Sequence, residues 1–311
     1  MQLHKHPSEF SALTALTANF KNLSETAIKR DYYIVLLLEQ LAESSFAEQC
    51  VFKGGTSLSK CYPGSIERFS EDIDLTYLGT PDMTDKMYDR NLKKIETVIT
   101  AGSNTEKIIE ERNNRNKSMW VWFDAPSTRI KLEIGSSVRP DPYSKRKIKT
   151  YIQEFLEAHG GEDDIKAFEL REIELNVLSI ERTFIDKLMS VKRHAICGTL
   201  NSKVRHIYDV HKLYCLPEIK NFLSDTNELK RLIQLTKDTD SFYLTKRNIS
   251  KDYNPCGLYD LNSWKHYFDD EIRKIYESLH EDLLYTDEKQ NFSEAIASFE
   301  AINTVLCNIG E

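Results

Sequence analysis

The chain has 311 residues, a formal net charge of −7 and 40% hydrophobic residues, a composition typical of soluble proteins. This length allows two domains or one large one. No apolar run is as long as a membrane span, and residues 1–8 lack the features of a signal peptide. The six cysteines show no zinc-site or disulfide spacing. These features predict a cytoplasmic protein with reduced thiols and no membrane partner.

The first informative segment joins an apolar helix, predicted over 24–48, to a short strand and a glycine pair. Residues 52–60 read Phe-Lys-Gly-Gly-Thr-Ser-Leu-Ser-Lys. Glycines at the start of a helix let backbone N–H groups approach a phosphate, because no Cβ intervenes. A glycine pair alone is more often a simple turn. The candidate nucleotide-binding residues are Lys53, Gly54, Gly55, Thr56 and Ser57.

A strand with two aspartates follows at 71–78, within the sequence Arg-Phe-Ser-Glu-Asp-Ile-Asp-Leu at 68–75. Period two places Asp72 and Asp74 on one face of the strand. Paired carboxylates can hold Mg²⁺ or Mn²⁺, with the phosphates of a nucleotide triphosphate completing the coordination. Asp-x-Asp alone is common on surface strands, but the combination with the glycine turn is much more specific.

Together these two strings resemble the AbiEii/AbiGii family of nucleotidyltransferase-like toxins, a branch of the DNA polymerase β-type superfamily to which the MenT toxins are related. The resemblance implies Mg²⁺-dependent transfer of nucleotides from an NTP to an acceptor hydroxyl, with the 3′ end of tRNA as the acceptor. It also implies a toxin–antitoxin system acting in phage abortive infection, with an AbiEi-like antitoxin as partner. Fifteen residues separate Thr56 from Asp72. This gap is longer than in minimal nucleotidyltransferases and predicts a helix and loop over 58–68.

Further along, the pattern predicts a helix over 84–100, a hairpin formed by 107–112 and 118–123, and a strand over 128–134. Apolar and polar residues alternate in this last strand, so one of its faces is wet or lines a site. Glu133 lies on the polar face. The nucleotidyltransferase pattern expects a third metal carboxylate there, and Glu133 is placed to supply it. The alternative is an exposed strand glutamate.

A Pro-rich break at 139–142 precedes a mostly helical remainder. The predicted fold is α+β, with a nucleotidyltransferase-like mixed-sheet catalytic domain at 1–145 and a mainly helical domain at 146–311. A strand pair is predicted near 167–178. The predicted helices of this half cover about 148–158, 180–197, 202–215, 226–237, 263–284 and 291–307.

Two residues of the helical half complete the predicted site. Lys187 lies beside the apolar stripe of its helix, and by resemblance it contacts the triphosphate and offsets charge in the transition state. Asp209 matches the last family motif, where an aspartate faces the cleft. The alternatives are a surface lysine and an ordinary helix ion pair between Asp209 and Arg205, four residues away.

The stretch 182–212 has seven basic and two acidic residues, a local charge of +5. Such a face can follow a nucleic-acid backbone, although a charge cluster is often only a solvated surface. The candidate RNA-binding residues are Lys192, Arg193, Lys203 and Arg205. Ser70 is a candidate regulatory residue, since a phosphate there would repel the incoming triphosphate; unmodified, it would cap the turn.

Two other functions remain compatible with these motifs. The same metal site could transfer a nucleotide or a phosphate to a protein hydroxyl. A degenerate fold could instead act only as a binding module, which the intact Gly-Gly-Thr and Asp-x-Asp motifs disfavour.

Overall fold

A computed structural model describes residues 1–244, 252–286 and 288–311 of the chain. Within these ranges, seven strands form one mixed sheet in the order β3-β4-β5-β2-β1-β7-β6. The strands are β1 (Cys50–Lys53), β2 (Asp72–Tyr77), β3 (Asn104–Lys107), β4 (Asn116–Trp122), β5 (Ile130–Gly135), β6 (Tyr143–Ile148) and β7 (Ile173–Leu178). The β2–β5 and β1–β7 pairs are parallel and the others are antiparallel.

Helices make up most of the remaining described structure, which confirms the predicted α+β class. They are α1 (Pro7–Lys21), α2 (Glu25–Ala42), α3 (Gly54–Cys61), α4 (Asp85–Ile99), α5 (Tyr151–Ala158), α6 (Glu162–Ala167), α7 (Ile180–Ile196), α8 (Val204–Tyr214), α9 (Pro217–Ser224), α10 (Thr226–Leu244), α11 (Asp270–Glu277), α12 (Leu279–Asp282) and α13 (Phe292–Asn308). None of those in the described ranges is long and apolar enough to cross a membrane.

Local capping explains where several helices begin. The side chains of Ser24, Thr84, Thr150 and Ser179 each accept a hydrogen bond from a backbone N–H in the first turn of the helix that follows. Such caps satisfy N–H groups that the helix itself leaves unpaired. Each of these helices therefore begins within a residue or two of the predicted position, except α5, which begins three residues later.

Two compact units divide the chain. The sheet unit comprises Met1–Tyr62, Phe69–Ser136 and Tyr143–Leu178, and the helical unit comprises Pro63–Arg68, Ser137–Pro142 and Ser179–Glu311. This division differs from the predicted boundary between residues 145 and 146, which falls inside β6. The difference arises because β6 and β7 pair with each other and β7 pairs with β1, so the sheet continues to Leu178.

Other predicted elements differ in detail. The region 167–178 holds one strand, β7, whose antiparallel partner is β6 rather than a strand within that region. The hairpin at 107–123 is present, but its first strand is β3, and Ile109–Glu111 forms a short 3₁₀ turn. The single helix predicted over 263–284 is divided into short 3₁₀ turns followed by α11 and α12.

Strands β4 and β5 pack on one face against helices of the sheet unit. Helix α4 packs against β4 and β5 and also against α2. Strand β5 alternates strictly between buried and half-buried residues, and its buried side chains are Ile130, Leu132 and Ile134. The other face of these central strands carries the polar residues of the candidate site.

Candidate active site

The two aspartates share one face of β2, as predicted. Asp72 and Asp74 are half-buried, whereas Ile73 and Leu75 between and after them are fully buried. In the parallel pairing with β5, Asp74 lies opposite Glu133 and Asp72 lies opposite Lys131. Neighbouring strands are about 4.8 Å apart, so these four polar side chains form two rows on the same open face.

Asp74 has no ion pair or hydrogen bond to its side chain among the described residues. Its neighbour across the antiparallel pair with β1 is Lys53, which is half-buried and likewise lacks an acidic partner in the described ranges. Two carboxylates are the hard oxygen donors that Mg²⁺ prefers, and an adjacent cation suits a triphosphate. The residues therefore fit a magnesium–nucleotide site, although no three His, Cys, Asp or Glu side chains of the described chain converge in a metal-binding geometry.

Glu133 has a different environment from the two aspartates. Lys131 Nζ lies 2.6 Å from a Glu133 carboxylate oxygen and 2.8 Å from a Glu111 carboxylate oxygen. Partial burial disfavours the charged lysine, but the hydrogen bonds to Glu111 and Glu133 outweigh burial and raise the pKa of Lys131. Lys131 therefore neutralises the predicted third metal ligand. The sequence pattern showed Lys131 on the same polar face as Glu133, but not this ion pair.

Replacing Glu133 by Gln is expected to lower nucleotide transfer by less than about fivefold. Both members of the Lys131–Glu133 pair are partly exposed, and such pairs contribute roughly 0–1 kcal/mol. The rate and its dependence on Mg²⁺ concentration are measured beside Asp74→Asn. A loss as large as that of Asp74→Asn would instead identify Glu133 as a metal ligand.

Two features of the structure require a glycine at position 54. Its φ is +85°, in the left-handed region, and an added Cβ would lie 2.2 Å from Asp74 Oδ2. Only glycine meets both conditions without strain. The first glycine of the predicted turn thus gives the Asp74 carboxylate its space beside the start of α3.

Gly54→Ala is expected to lower both stability and nucleotide transfer, because the new methyl group displaces Asp74. Gly64→Ala is the matched control, since Gly64 has a φ of +77° but nothing within 4 Å of an added Cβ. We expect the control to cost about 1 kcal/mol of stability through backbone strain and to retain transfer. Thermal unfolding and transfer rates are measured for both. Equal rates in the two variants would contradict the role of Gly54 beside Asp74.

The hydroxyl groups of Thr56 and Ser57 hold the turn together. Both residues are buried. The Thr56 hydroxyl donates to the backbone carbonyl of Asp72, and the Ser57 hydroxyl donates to the carbonyl of Gly54 at 2.9 Å. Their side chains are therefore engaged within the protein. Lys53 precedes α3 and provides no side-chain cap for the first backbone N–H groups of that helix. A phosphate at this position would contact those N–H groups, including that of Gly55.

Within the helical unit, Lys187 and Asp209 are in direct contact. Lys187 Nζ on α7 lies 2.7 Å from Asp209 Oδ2 on α8. Arg68 donates to both carboxylate oxygens of Asp209, from Nε at 2.6 Å and from Nη2 at 2.7 Å. All three side chains are at most 7% exposed. Asp209 thus binds Arg68 of the segment before β2 and Lys187 of α7.

Charge balance within this buried cluster decides its protonation. Burial alone would raise the pKa of Asp209, but Arg68 and Lys187 outweigh burial and hold that pKa well below its usual value. Burial, with the nearby Arg68 charge, lowers the pKa of Lys187, against the attraction of Asp209. One carboxylate between two cations leaves net positive charge, which suits an anionic ligand.

Arg68 is the site residue that the sequence analysis missed. It opens the string at 68–75, yet nothing local indicates a partner 141 residues away. The long gap between Thr56 and Asp72 has its explanation here. Helix α3 ends at Cys61, and the segment Pro63–Arg68 belongs to the helical unit, where it delivers the Arg68 guanidinium to Asp209.

The candidate RNA-binding residues are largely engaged in internal contacts. Lys192 is buried and donates to the backbone carbonyl of Leu258, and burial lowers its pKa to about 8. Arg193 pairs with Asp240 at 2.9 Å. Lys192 and Arg193 are therefore engaged in contacts within the protein, and their role in RNA binding stays a prediction.

The remaining candidates are placed as follows. Lys203 and Arg205 are half-buried. Ser70 is only 7% exposed, so a modifying enzyme would reach its hydroxyl only after a local rearrangement.

Comparison with known proteins gives a family. The family model described as nucleotidyl transferase AbiEii toxin of type IV toxin–antitoxin systems matches residues 36–300. Among solved structures, the MenT4 nucleotidyltransferase toxin of Mycobacterium tuberculosis H37Rv is 18% identical with a TM-score of 0.49, covering 95% of this chain and 98% of that chain. JHP933 of Helicobacter pylori is 21% identical with a TM-score of 0.38, covering 83% of this chain and 95% of that chain. No curated protein matches the sequence significantly.

The match extends over most of the chain and includes both the Asp72–Asp74 strand and the Lys187–Asp209 pair. The chain belongs to the AbiEii family of nucleotidyl transferase toxins.

Proposed function

We propose that the protein transfers nucleotides from an NTP to the 3′ hydroxyl of an RNA, with tRNA as the acceptor, in a reaction that depends on Mg²⁺ or Mn²⁺. The observation that carries the proposal is that Asp72 and Asp74 share one face of β2, where the Asp74 carboxylate lies beside Gly54 and has no ion pair or hydrogen bond among the described residues. Family membership supports the nucleotidyl transfer, and the tRNA acceptor rests on the sequence resemblance.

The site residues of the sheet unit have separate roles in this proposal. Asp72 and Asp74 would hold the metal, which supplies positive charge to the triphosphate and the attacking oxygen. Lys53 lies beside Asp74 and offsets phosphate charge. The first N–H groups of α3 bind a phosphate oxygen, because the start of a helix carries unpaired donors and a positive dipole end.

In the helical unit, we assign Lys187 to the phosphates and Asp209 to the orientation of Lys187. The 2.7 Å contact between them supports the second role. The bidentate pair with Arg68 fixes the Asp209 carboxylate, so the lysine ammonium has a defined position. That these residues serve the same reaction as Asp72 and Asp74 rests on the family resemblance.

In the cell, the proposed reaction would block the 3′ ends of tRNA and stop translation. The protein would act in the cytoplasm as the toxin of an abortive-infection system against phage, restrained by a cognate AbiEi-like antitoxin. The family description supports the toxin and antitoxin parts of this proposal.

The test is incubation of the purified protein with total tRNA, Mg²⁺ and each α-labelled NTP in turn. Label on tRNA is expected with at least one NTP, and prior periodate oxidation of the tRNA 3′ end should prevent it. Label on a protein band in place of RNA would contradict the proposal and favour a protein acceptor. Absence of label from RNA and protein alike, with host tRNA supplied, would favour a binding module.

A further inference from the structure

Strand β4 carries two tryptophans on the same sheet face as the carboxylates. Lys117 of β4 is buried and pairs with Asp89 of α4 at 2.8 Å, so the alternate residues of β4 face away from α4. Trp120 and Trp122 are two of these alternate residues, and both are half-buried. Neither indole stacks on another aromatic ring within the described chain.

The strand register connects these tryptophans to the candidate site. Asp72 lies opposite Lys131, and Lys131 in turn lies opposite Trp120. One row of side chains therefore crosses β2, β5 and β4 on a single face. At about 4.8 Å per strand, the backbone of Trp120 is roughly 10 Å from that of Asp72.

An exposed arginine, Arg129, completes this surface. The Arg129 guanidinium lies over the Trp120 ring, 4.3 Å from its centroid. Arg129 is exposed and has no acidic partner in the described ranges. Aromatic rings stack nucleic-acid bases irrespective of sequence, and a neighbouring arginine adds cation–π and phosphate contacts.

We propose that Trp120, Trp122 and Arg129 form a stacking surface for the unpaired bases at the 3′ end of the acceptor RNA. This inference rests on the proposed function. It adds the place on the sheet where the acceptor RNA binds. Two rings at positions i and i+2 lie about 7 Å apart along the strand. This pair suits two successive bases of an RNA strand, whereas the incoming NTP has only one.

Binding is measured first, without NTP, so that no turnover is needed. A fluorescently labelled short single-stranded RNA is titrated with the wild type and with Trp120→Ala, Trp122→Ala and Trp120→Phe. Loss of one stacking contact costs about 1–3 kcal/mol, so each alanine variant should raise the dissociation constant for RNA by roughly 5- to 150-fold. Trp120→Phe should retain most of the affinity, because the phenyl ring still stacks.

Tyr143→Ala is the matched control. Tyr143 is an exposed aromatic residue on β6, at the opposite edge of the same sheet, and its removal should leave RNA binding unchanged. Circular dichroism and thermal unfolding confirm that each variant is folded. Wild-type affinity in both alanine variants, or equal loss in Tyr143→Ala, would overturn the stacking surface.

Steady-state kinetics then separate the acceptor from the nucleotide. The KM for RNA should rise in Trp120→Ala and Trp122→Ala while the KM for NTP stays constant. A rise confined to the KM for NTP would overturn the proposal and assign the surface to the base of the incoming nucleotide. If the wild type binds single-stranded RNA through these residues but transfers label to protein, the proposed function fails while the stacking surface stands. If the wild type binds no RNA, the stacking surface is refuted directly.

Discussion

Asp74→Asn is expected to abolish nucleotide transfer while leaving the protein folded. The Asp74 carboxylate has no ion pair or hydrogen bond within the described residues, so removal of its charge breaks no contact there, and Asn has nearly the same shape beside Gly54. A metal contributes several kcal/mol of charge stabilisation in such reactions. We therefore expect a loss of at least about 10³-fold, since 1.36 kcal/mol corresponds to tenfold in rate. Asp72→Asn should lower transfer by a similar factor, because it also removes one of the two metal carboxylates.

Glu71→Gln is the matched control for this prediction. Glu71 precedes Asp72 directly but pairs with Arg30 at 2.5 Å and is 46% exposed. Its replacement should change transfer by less than about fivefold, since exposed pairs contribute little. Transfer rates and thermal unfolding are measured for all three variants. Retention of activity in folded Asp74→Asn would refute the metal site.

Asp209→Asn is expected to destabilise the protein by about 3–5 kcal/mol, because it leaves Arg68 and Lys187 buried without a counter-charge. Lys187→Met is the companion variant. It removes one cation but retains the bidentate Arg68–Asp209 pair, so it should be much less destabilising. The free energy of unfolding in urea is compared for both. A small change in Asp209→Asn would show that the two buried cations tolerate the loss of their counter-charge.

The pH dependence of this cluster has a defined sign. The pKa of Asp209 is lower in the folded protein than its usual value of 3.8. The folded state therefore binds fewer protons than the unfolded state near that pH, and stability rises with pH. The contribution of Asp209 is complete above about pH 5 and is lost as pH falls through the folded pKa. The stability advantage of the wild type over Asp209→Asn should accordingly shrink below about pH 4.

Lys187→Met also tests whether the cluster acts in the reaction or only in folding. If Lys187 contacts the triphosphate, the variant stays folded but loses transfer by roughly 10²- to 10³-fold, as for other charge-stabilising groups. Wild-type transfer rates in this variant would restrict the cluster to a structural role.

Local patterns explain which parts of the fold were predictable. The alternation of β5 follows from burial on one side of the sheet. Helix α2 and the short β1 were predictable from continuous apolar runs, because both are buried at nearly every consecutive position of those runs. Strand β6 has neither pattern, because its first five residues are exposed at the sheet edge. Together with the prolines at 140 and 142, the basic sequence of β6 therefore resembles a break between domains. Helix α1 also escaped prediction, as its exposed Leu16 and Phe20 blur the apolar face.

The candidate site likewise has features that follow from local sequence and contacts that only the tertiary fold creates. The shared face of Asp72 and Asp74 follows from strand geometry alone. The contacts of Arg68 with Asp209 and of Lys131 with Glu111 join residues that are 141 and 20 positions apart, and no local pattern encodes them. Pairing through the tertiary fold also explains why Lys192 and Arg193, basic in sequence, do not form a free surface.

The position of the transferred label tests the central claim most directly. The wild-type protein is incubated with tRNA and Mg²⁺, using the same NTP labelled either at the α-phosphate or at the γ-phosphate. Nucleotidyl transfer predicts α-label on the 3′-terminal nucleotide of tRNA, release of the γ-label as pyrophosphate, and no reaction with Asp74→Asn. Transfer of the γ-label, or of the α-label to protein alone, would contradict the account.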